Sequence, residues 1–271
     1  MRIVVCLKEV LDPDAVDNYA LAGRLQIAAD GKSLVQGGIP RLINAYDEQA
    51  LEAALRLRDA GAQCRITAVS VGTETTGILR HASALGADEV VAIALDPATV
   101  DCAVLAAVLT AYVRASGGAD LVLCGRQASD DDQGVIPALV GEALGMPVVT
   151  IARAVELVAS ASAPAVRVTR VTPDGDEVVE AICPAVVTIS SELGTPRYPT
   201  TAKKMAARKV QPTVVAVADL GLAADALQPR ARLVKQFVPT VQGSCEFLTG
   251  ATPAELATQL FDRLRRDGVV Q

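Results

Sequence analysis

The sequence predicts an α/β protein: a mostly parallel, doubly wound sheet with helices on both faces, plus a β-hairpin and an extended C-terminal arm. Three observations carry this. Short apolar runs rich in Val, Ile and Ala alternate with longer helix-like segments up to about residue 153. The apolar runs are continuous rather than alternating, as strands buried on both faces of a parallel sheet require. Beyond that point, two β-rich halves flank TPDGDE, whose central Asp-Gly is a hairpin turn signal.

The elements follow in order. RIVVCLK, residues 2–8, is a buried strand, and a long polar segment leads from it to about Ile43. NAYDEQALEAALRLRDAG is a helix with Asp47 as expected N-cap, Leu51, Ala54 and Leu55 on one face, and Gly61 as its close. CRITAVSVG is a strand, TTGILRHASALGAD a helix ending at Gly86, and EVVAIAL a strand. A helix over 100–115 precedes the strand DLVLCG. A helix to about Leu144 precedes the strand MPVVTIA. After the hairpin, AVVTIS reads as one more buried strand. Regularity stops at Ser191, which divides the chain into an α/β domain at 1–190 and a loop with an extended arm at 191–271. The arm ends in a helix with Thr252 as N-cap, Pro253 at the first helical position and Glu255 completing a capping box. The stretch 191–250 has little periodicity, which fits a segment that wraps around another chain.

Composition narrows the function classes. With 271 residues the chain holds one large domain or a domain plus appendages. Half of it is apolar, aromatics are scarce and Trp is absent, a small-residue α/β profile. A net charge of −6 argues against wholesale nucleic-acid binding. The six cysteines form no CxxC pair, so zinc-knuckle and dithiol motifs are absent; most lie in apolar runs and read as small core residues. The first ten residues are too short and too quickly charged for a signal peptide, and the longest nearly uncharged run, 102–113, is too short for a membrane span. A soluble, cytoplasmic protein is expected.

No GxGxxG and no GxxxxGK(S/T) occurs. SGGAD, residues 116–120, has the glycines of a phosphate loop, but they follow a helix and open a strand, so a helix cap and turn is expected. His81, the single histidine, has no Ser or Cys nearby in its helix to form a relay and reads as structural. No catalytic residue is assigned. Asp130, Asp131 and Asp132 have no companion Asp/Glu/His cluster, so no metal site is assigned either. They lie between a strand end and a helix start, where ligands bind in open α/β sheets. Free N–H groups of residues 133–136, with Arg126, suit a phosphate. Asp131 is the favoured carboxylate for capping or polar contacts. A solvated acidic loop remains the alternative. Asn44 and Asp47 repeat the geometry around Ala45 and Tyr46 at another helix start. The basic run Arg197, Lys203, Lys204, Arg208 and Lys209 fits either an acidic partner or a solvated loop.

Several segments in register resemble the β subunit of electron transfer flavoproteins. VVCLKEV resembles its opening strand and lysine. INAYDEQALEAALRLRDAG resembles its N-P-F/Y-D/C-E helix, and ITAVSVG with ASALGADEVVAI its next strand and A-L-x-M-G-A-D block. LVLCGRQASDDDQGVIP resembles its G-K/R-Q-A-x-D-x-D segment and PAVVTISSELGTPRYP its P-A…P-R-Y/F segment. The resemblance implies a Rossmann-like, adenine-nucleotide-binding chain paired with an α subunit that holds most of an FAD. The β subunit forms one wall near the flavin ring and itself holds AMP, or a second FAD in an electron-bifurcating subset. Electrons arrive from a dehydrogenase and leave to a further acceptor. A stand-alone adenine-nucleotide-binding protein of stress-protein type is the rival reading. The resemblance places the nucleotide on Cys6, on Asn44, Ala45, Tyr46 and Asp47, on Val71, and on Gly125, Arg126, Gln127, Ala128, Asp131, Gln133, Gly134, Val135 and Ile136. It places partner recognition on Arg197, Tyr198, Thr201, Lys203, Lys204 and Met205. The chain departs from the pattern at three positions. Thr201 stands for an apolar anchor, Gln133 lies two positions upstream of the usual glutamine, and Pro137 stands where glycine is common.

Overall fold

Seven parallel strands and an antiparallel hairpin form one sheet of nine, whose strands lie side by side in the order 213–216, 89–94, 65–71, 2–7, 121–125, 185–189, 148–158, 165–172 and 175–182. The computed structural model describes residues 1–35, 37–158, 164–239 and 245–270. In chain order the elements are β1 (Arg2–Leu7), β2 (Glu9–Leu11), α1 (Pro13–Leu21), β3 (Arg41–Ile43), α2 (Ala45–Asp59), β4 (Arg65–Val71), α3 (Thr76–Leu85), β5 (Glu89–Ala94) and α4 (Cys102–Ala115). They continue with β6 (Leu121–Gly125), α5 (Ile136–Leu144), β7 (Val148–Val158), β8 (Ala165–Thr172), β9 (Gly175–Ile182), β10 (Ala185–Ile189), α6 (Thr201–Ala207), β11 (Thr213–Ala216) and α7 (Pro253–Arg266).

Period-2 geometry explains how one strand serves both faces. From β1, Ile3, Val5 and Leu7 pack with α2 and α3, while Val4 and Cys6 pack with α4. Every residue of β6 and β10 is buried, which is why these strands read as unbroken apolar runs. The strand order reverses between β1 and β6, and their carboxyl ends open at that switch point.

The departures from expectation have local causes. The polar segment after β1 contains β2, α1 and β3. Asp12 caps α1, accepting from the N–H of Asp14 and Ala15, but α1 buries no residue, so no apolar stripe announced it. Asn44, not Asp47, takes the N-cap position of α2; Asp47 lies inside the first turn and its carboxylate turns to other strands. The stretch after Ser191 is more ordered than its periodicity suggested. Thr200 caps the short helix α6, and β11 adds a parallel edge strand to β5. The hairpin forms as expected between β8 and β9, with the hydroxyl of Thr172 donating to the carbonyl of Gly175 across the turn at 2.7 Å.

The chain divides into two compact units, residues 1–236 and 237–271. In the second, Thr252 caps α7 by accepting from the N–H of Glu255, Pro253 opens it, and Glu255 accepts from the N–H of Ala251. Glu246 and Arg263 pair within this unit.

Candidate functional site

A cleft of about 790 Å³ opens at the switch point. Its floor is the carboxyl ends of β1, β4 and β6, through Cys6, Val71, Cys124 and Gly125. Its walls include the start of α5, the residues before α4, and a segment at 231–233. The volume lies within the range of about 300–1,000 Å³ usual for small-molecule sites.

Asp47 ties this end of the sheet together. Its two oxygens accept from the backbone N–H of Lys8 and of Gly125, each at 2.8 Å, bridging the exits of β1 and β6. It is almost fully buried. Burial pushes its carboxyl up to about 6, against the pull of the N–H groups of Lys8 and Gly125, the Asn44 side chain and the Lys8 charge. Gly125 makes the close approach possible: a Cβ there would stand 2.6 Å from Asp47 Oδ1 and from Tyr46 Cβ. Asn44 holds the same junction, donating from its side chain to the carbonyl of Gln127 at 2.8 Å and accepting from the N–H of Ser129 at 3.2 Å.

The acidic loop is divided by its contacts. Lys8 Nζ pairs with Asp130 at 2.6 Å and Asp131 at 3.0 Å. Burial alone would lower the Lys8 ammonium, but the two carboxylates outweigh it and raise it above its ordinary value. Asp132, at φ 52°, accepts from the Gln127 side chain. Asp131 also accepts from the N–H of Gln133, yet it does not cap α5: the N-cap residue is Val135 and no side chain caps that helix. Pro137, in the first turn, has no N–H, so the amides of Val135 and Ile136 are the ones left at the cleft-lining start of α5 without a side-chain cap, open to an anion. Gly134, at φ +62°, shapes that approach; a Cβ there would meet the Arg126 carbonyl at 2.6 Å. Val69, Val71, Leu105 and Leu109 supply an apolar wall suited to a flat base. Size, open amides and apolar wall together fit a nucleotide.

Comparison with known proteins identifies the framework. The electron transfer flavoprotein domain matches residues 33–220. The chain belongs to the electron transfer flavoprotein family, among its β subunits. It is 35% identical over 203 residues to the electron transfer flavoprotein subunit beta of Clostridium acetobutylicum, covering 73% of this chain and 71% of that one. It is 32% identical over 219 residues to the corresponding subunit of Syntrophomonas wolfei, 80% of each chain. It is 30% identical over 276 residues, the whole of both chains, to the caffeyl-CoA reductase-Etf complex subunit CarD of Acetobacterium woodii.

Within this electron transfer flavoprotein subunit, the cleft brings together Cys6, Asn44, Asp47, Val71, Gly125, Gln127, Ala128, Asp131, Gln133, Gly134, Val135 and Ile136. Ala45, Tyr46 and Arg126 do not line it. Arg126 instead stacks on Tyr46, 5.0 Å from the ring centre, and its buried Nε has no hydrogen-bond partner among the described residues. Among the proposed partner residues, Arg197 is engaged within the chain. Its Nε meets Glu52 at 2.7 Å and its terminal nitrogen meets Asp59 at 2.7 Å. Burial alone would raise the Glu52 carboxyl, but Arg197 and Arg56 outweigh it and hold it low. Tyr198, Thr201, Lys203 and Met205 are exposed, and Lys204 lies over the Tyr198 ring at 3.9 Å.

His81 Nε2 lies 2.6 Å from Glu48 on the neighbouring helix, a packing contact. Gly117 and Gly118 adopt φ +88° and +85° in a turn. Among the described residues, no group of three or more His, Cys, Asp or Glu side chains is placed to hold a metal ion, and no helix is long and apolar enough to cross a membrane. Sequence reasoning missed Lys8 and residues 231–233 as cleft residues. A lysine closing a strand was visible as a signal; a segment some hundred residues further along the chain was not.

Proposed function

We propose that this chain is the β subunit of a heterodimeric electron carrier, with AMP in the switch-point cleft and an FAD held mainly by the α subunit. It passes electrons from a dehydrogenase to a further acceptor. The observation that carries the reading is the cleft itself, where open α5 amides face an apolar wall at the carboxyl ends of β1, β4 and β6. The flavin supplies the redox chemistry. The chain's own residues bind and orient. Asp47 and Asn44 hold the two loops, the α5 amides receive the phosphate, and Val69, Val71, Leu105 and Leu109 exclude water from the base. Tyr46 and Arg126, turned away from the cleft, furnish the wall toward the α subunit. Tyr198, just before α6, and Thr201, Lys203, Lys204 and Met205 on it meet redox partners.

A second FAD in place of AMP, as in a bifurcating carrier, is the second reading. One observation favours it: the relative matched over the whole of both chains is named as a subunit of a caffeyl-CoA reductase-Etf complex. Co-expression with its α subunit is expected to give a yellow complex that a dehydrogenase reduces. Mass spectrometry of the nucleotide released on denaturation separates AMP from FAD. A colourless chain that purifies alone and ignores the α subunit sinks the proposal.

A further inference from the structure

The cleft is electrostatically ill-suited to a phosphate by its walls alone, since among the described residues seven carboxylates and three cations line it. Two of the cations are engaged: Lys8 by Asp130 and Asp131, Arg41 by Glu9. The third, Arg232, is exposed and makes no ion pair or side-chain hydrogen bond with the described residues.

Arg232 is carried on a strap fixed at both ends. Asp101, the N-cap of α4, accepts from the N–H of Val104 through Oδ1 at 3.1 Å. Its Oδ2 accepts from the N–H of Arg230 at 2.6 Å and of Ala231 at 2.8 Å. At the other end, the N–H of Gln236 donates to the carbonyl of Gly31 at 2.8 Å. Between these anchors Ala231, Arg232 and Leu233 face the cleft.

We propose that Arg232 binds the phosphate of the nucleotide in this cleft, and that Asp101 is a positioning residue holding the strap that presents it. The inference rests on the nucleotide reading above and adds to it the source of the positive charge. A guanidinium offers a planar fork of donors matched to phosphate oxygens. The α5 amides supply dipoles but no net charge, which leaves a full cation wanting among so many carboxylates. Asp101 keeps its ionised form: burial would raise its carboxyl, but the backbone N–H groups of Val104, Ala231, Arg230 and Ala103 outweigh it and hold it low.

The test uses the full-length chain co-purified with its α subunit and stripped of nucleotide, titrated with AMP and with adenosine. Arg232→Ala should weaken AMP by about 10- to 100-fold, the range for a lost hydrogen bond between charged groups, and leave adenosine unchanged. Arg232→Lys should recover part of the loss. Asp101→Ser keeps a capping oxygen for α4 but lacks the second acceptor for the strap. It should reproduce the selective loss of AMP while adenosine holds, which a merely structural defect would not do. In the unmodified complex, AMP should slow trypsin cleavage after Arg230 and Arg232. Equal AMP affinity in Arg232→Ala and the unmodified complex overturns the inference, as does cleavage indifferent to AMP. If the unmodified complex binds neither AMP nor adenosine, the nucleotide reading itself fails.

Discussion

At the scale of single residues, Asp47 and Glu52 pull stability in opposite directions with pH. The folded-state value for Asp47 lies above its ordinary 3.8, at about 6. The folded chain therefore binds this proton more tightly, and the stability it contributes is fully present below about 3.8 and lost as pH rises through about 6. Asp47→Asn removes that dependence. In urea denaturation without nucleotide, the unmodified chain should lose on the order of 3 kcal/mol relative to Asp47→Asn between about pH 4 and about pH 7. A difference that grows with pH instead would mean that the hydrogen bonds, not burial, govern the group. Glu52 is held below its ordinary value, so its contribution is present above about 4.5 and lost as pH falls. Arg197→Ala leaves this nearly buried carboxylate with Arg56 and the backbone N–H of residue 197, and thermal denaturation should show a loss of about 1–3 kcal/mol, discounted for the partial exposure of the arginine. An unchanged melting temperature contradicts an intramolecular role for Arg197.

At the scale of elements, the loop from β6 to α5 depends on two close approaches. Gly125→Ala pushes a methyl group against Asp47 and the Tyr46 backbone, and Gly134→Ala forces a φ of +62° on a residue with a side chain while meeting the Arg126 carbonyl. Each should cost about 2 kcal/mol, and each should shorten the residence of bound AMP, followed by nucleotide release. Retention matching the unmodified chain in both variants would detach this loop from the site. The same loop shows what was legible beforehand. A strand end, an acidic run and a helix start are local signals, and they point to the end of the sheet where the cleft opens. The assignment of roles was not local. Asp47 reads as a cap because an acid at a helix start usually is one, and only the convergence of Lys8 and Gly125 draws its carboxylate elsewhere. Arg126 reads as a phosphate donor from its position, but its side chain stacks on Tyr46. Strands such as β6 and β10 were legible because both of their faces are buried; α1 and β11 were not, since their contacts are few or at an edge.

At the scale of the whole molecule, burial falls from the middle of the sheet outward. β1, β6 and β10 are buried almost throughout, whereas β9 leaves Val178 and Ile182 exposed at the far edge. Hydrogen exchange should follow this gradient, slowest in the three central strands and fastest in β9; equal protection would mean that the hairpin opens only with the whole sheet. The loop at 125–134 sits between two surfaces. Gly125, Gln127, Ala128, Gln133 and Gly134 line the cleft, while Arg126, between them in sequence, belongs to the Tyr46 side. One stretch of backbone thus has an inner and an outer face with different clients. If the cleft holds a nucleotide, as proposed, ordering of the inner face would extend to the outer, and a protein docking on Tyr46 and Arg126 would meet a surface already ordered. The coupling would run both ways: that docked protein would tighten binding of the nucleotide by the same factor in affinity. On the proposed reading, an AMP that takes no part in the chemistry would be an allosteric component of the assembly, felt across a single loop.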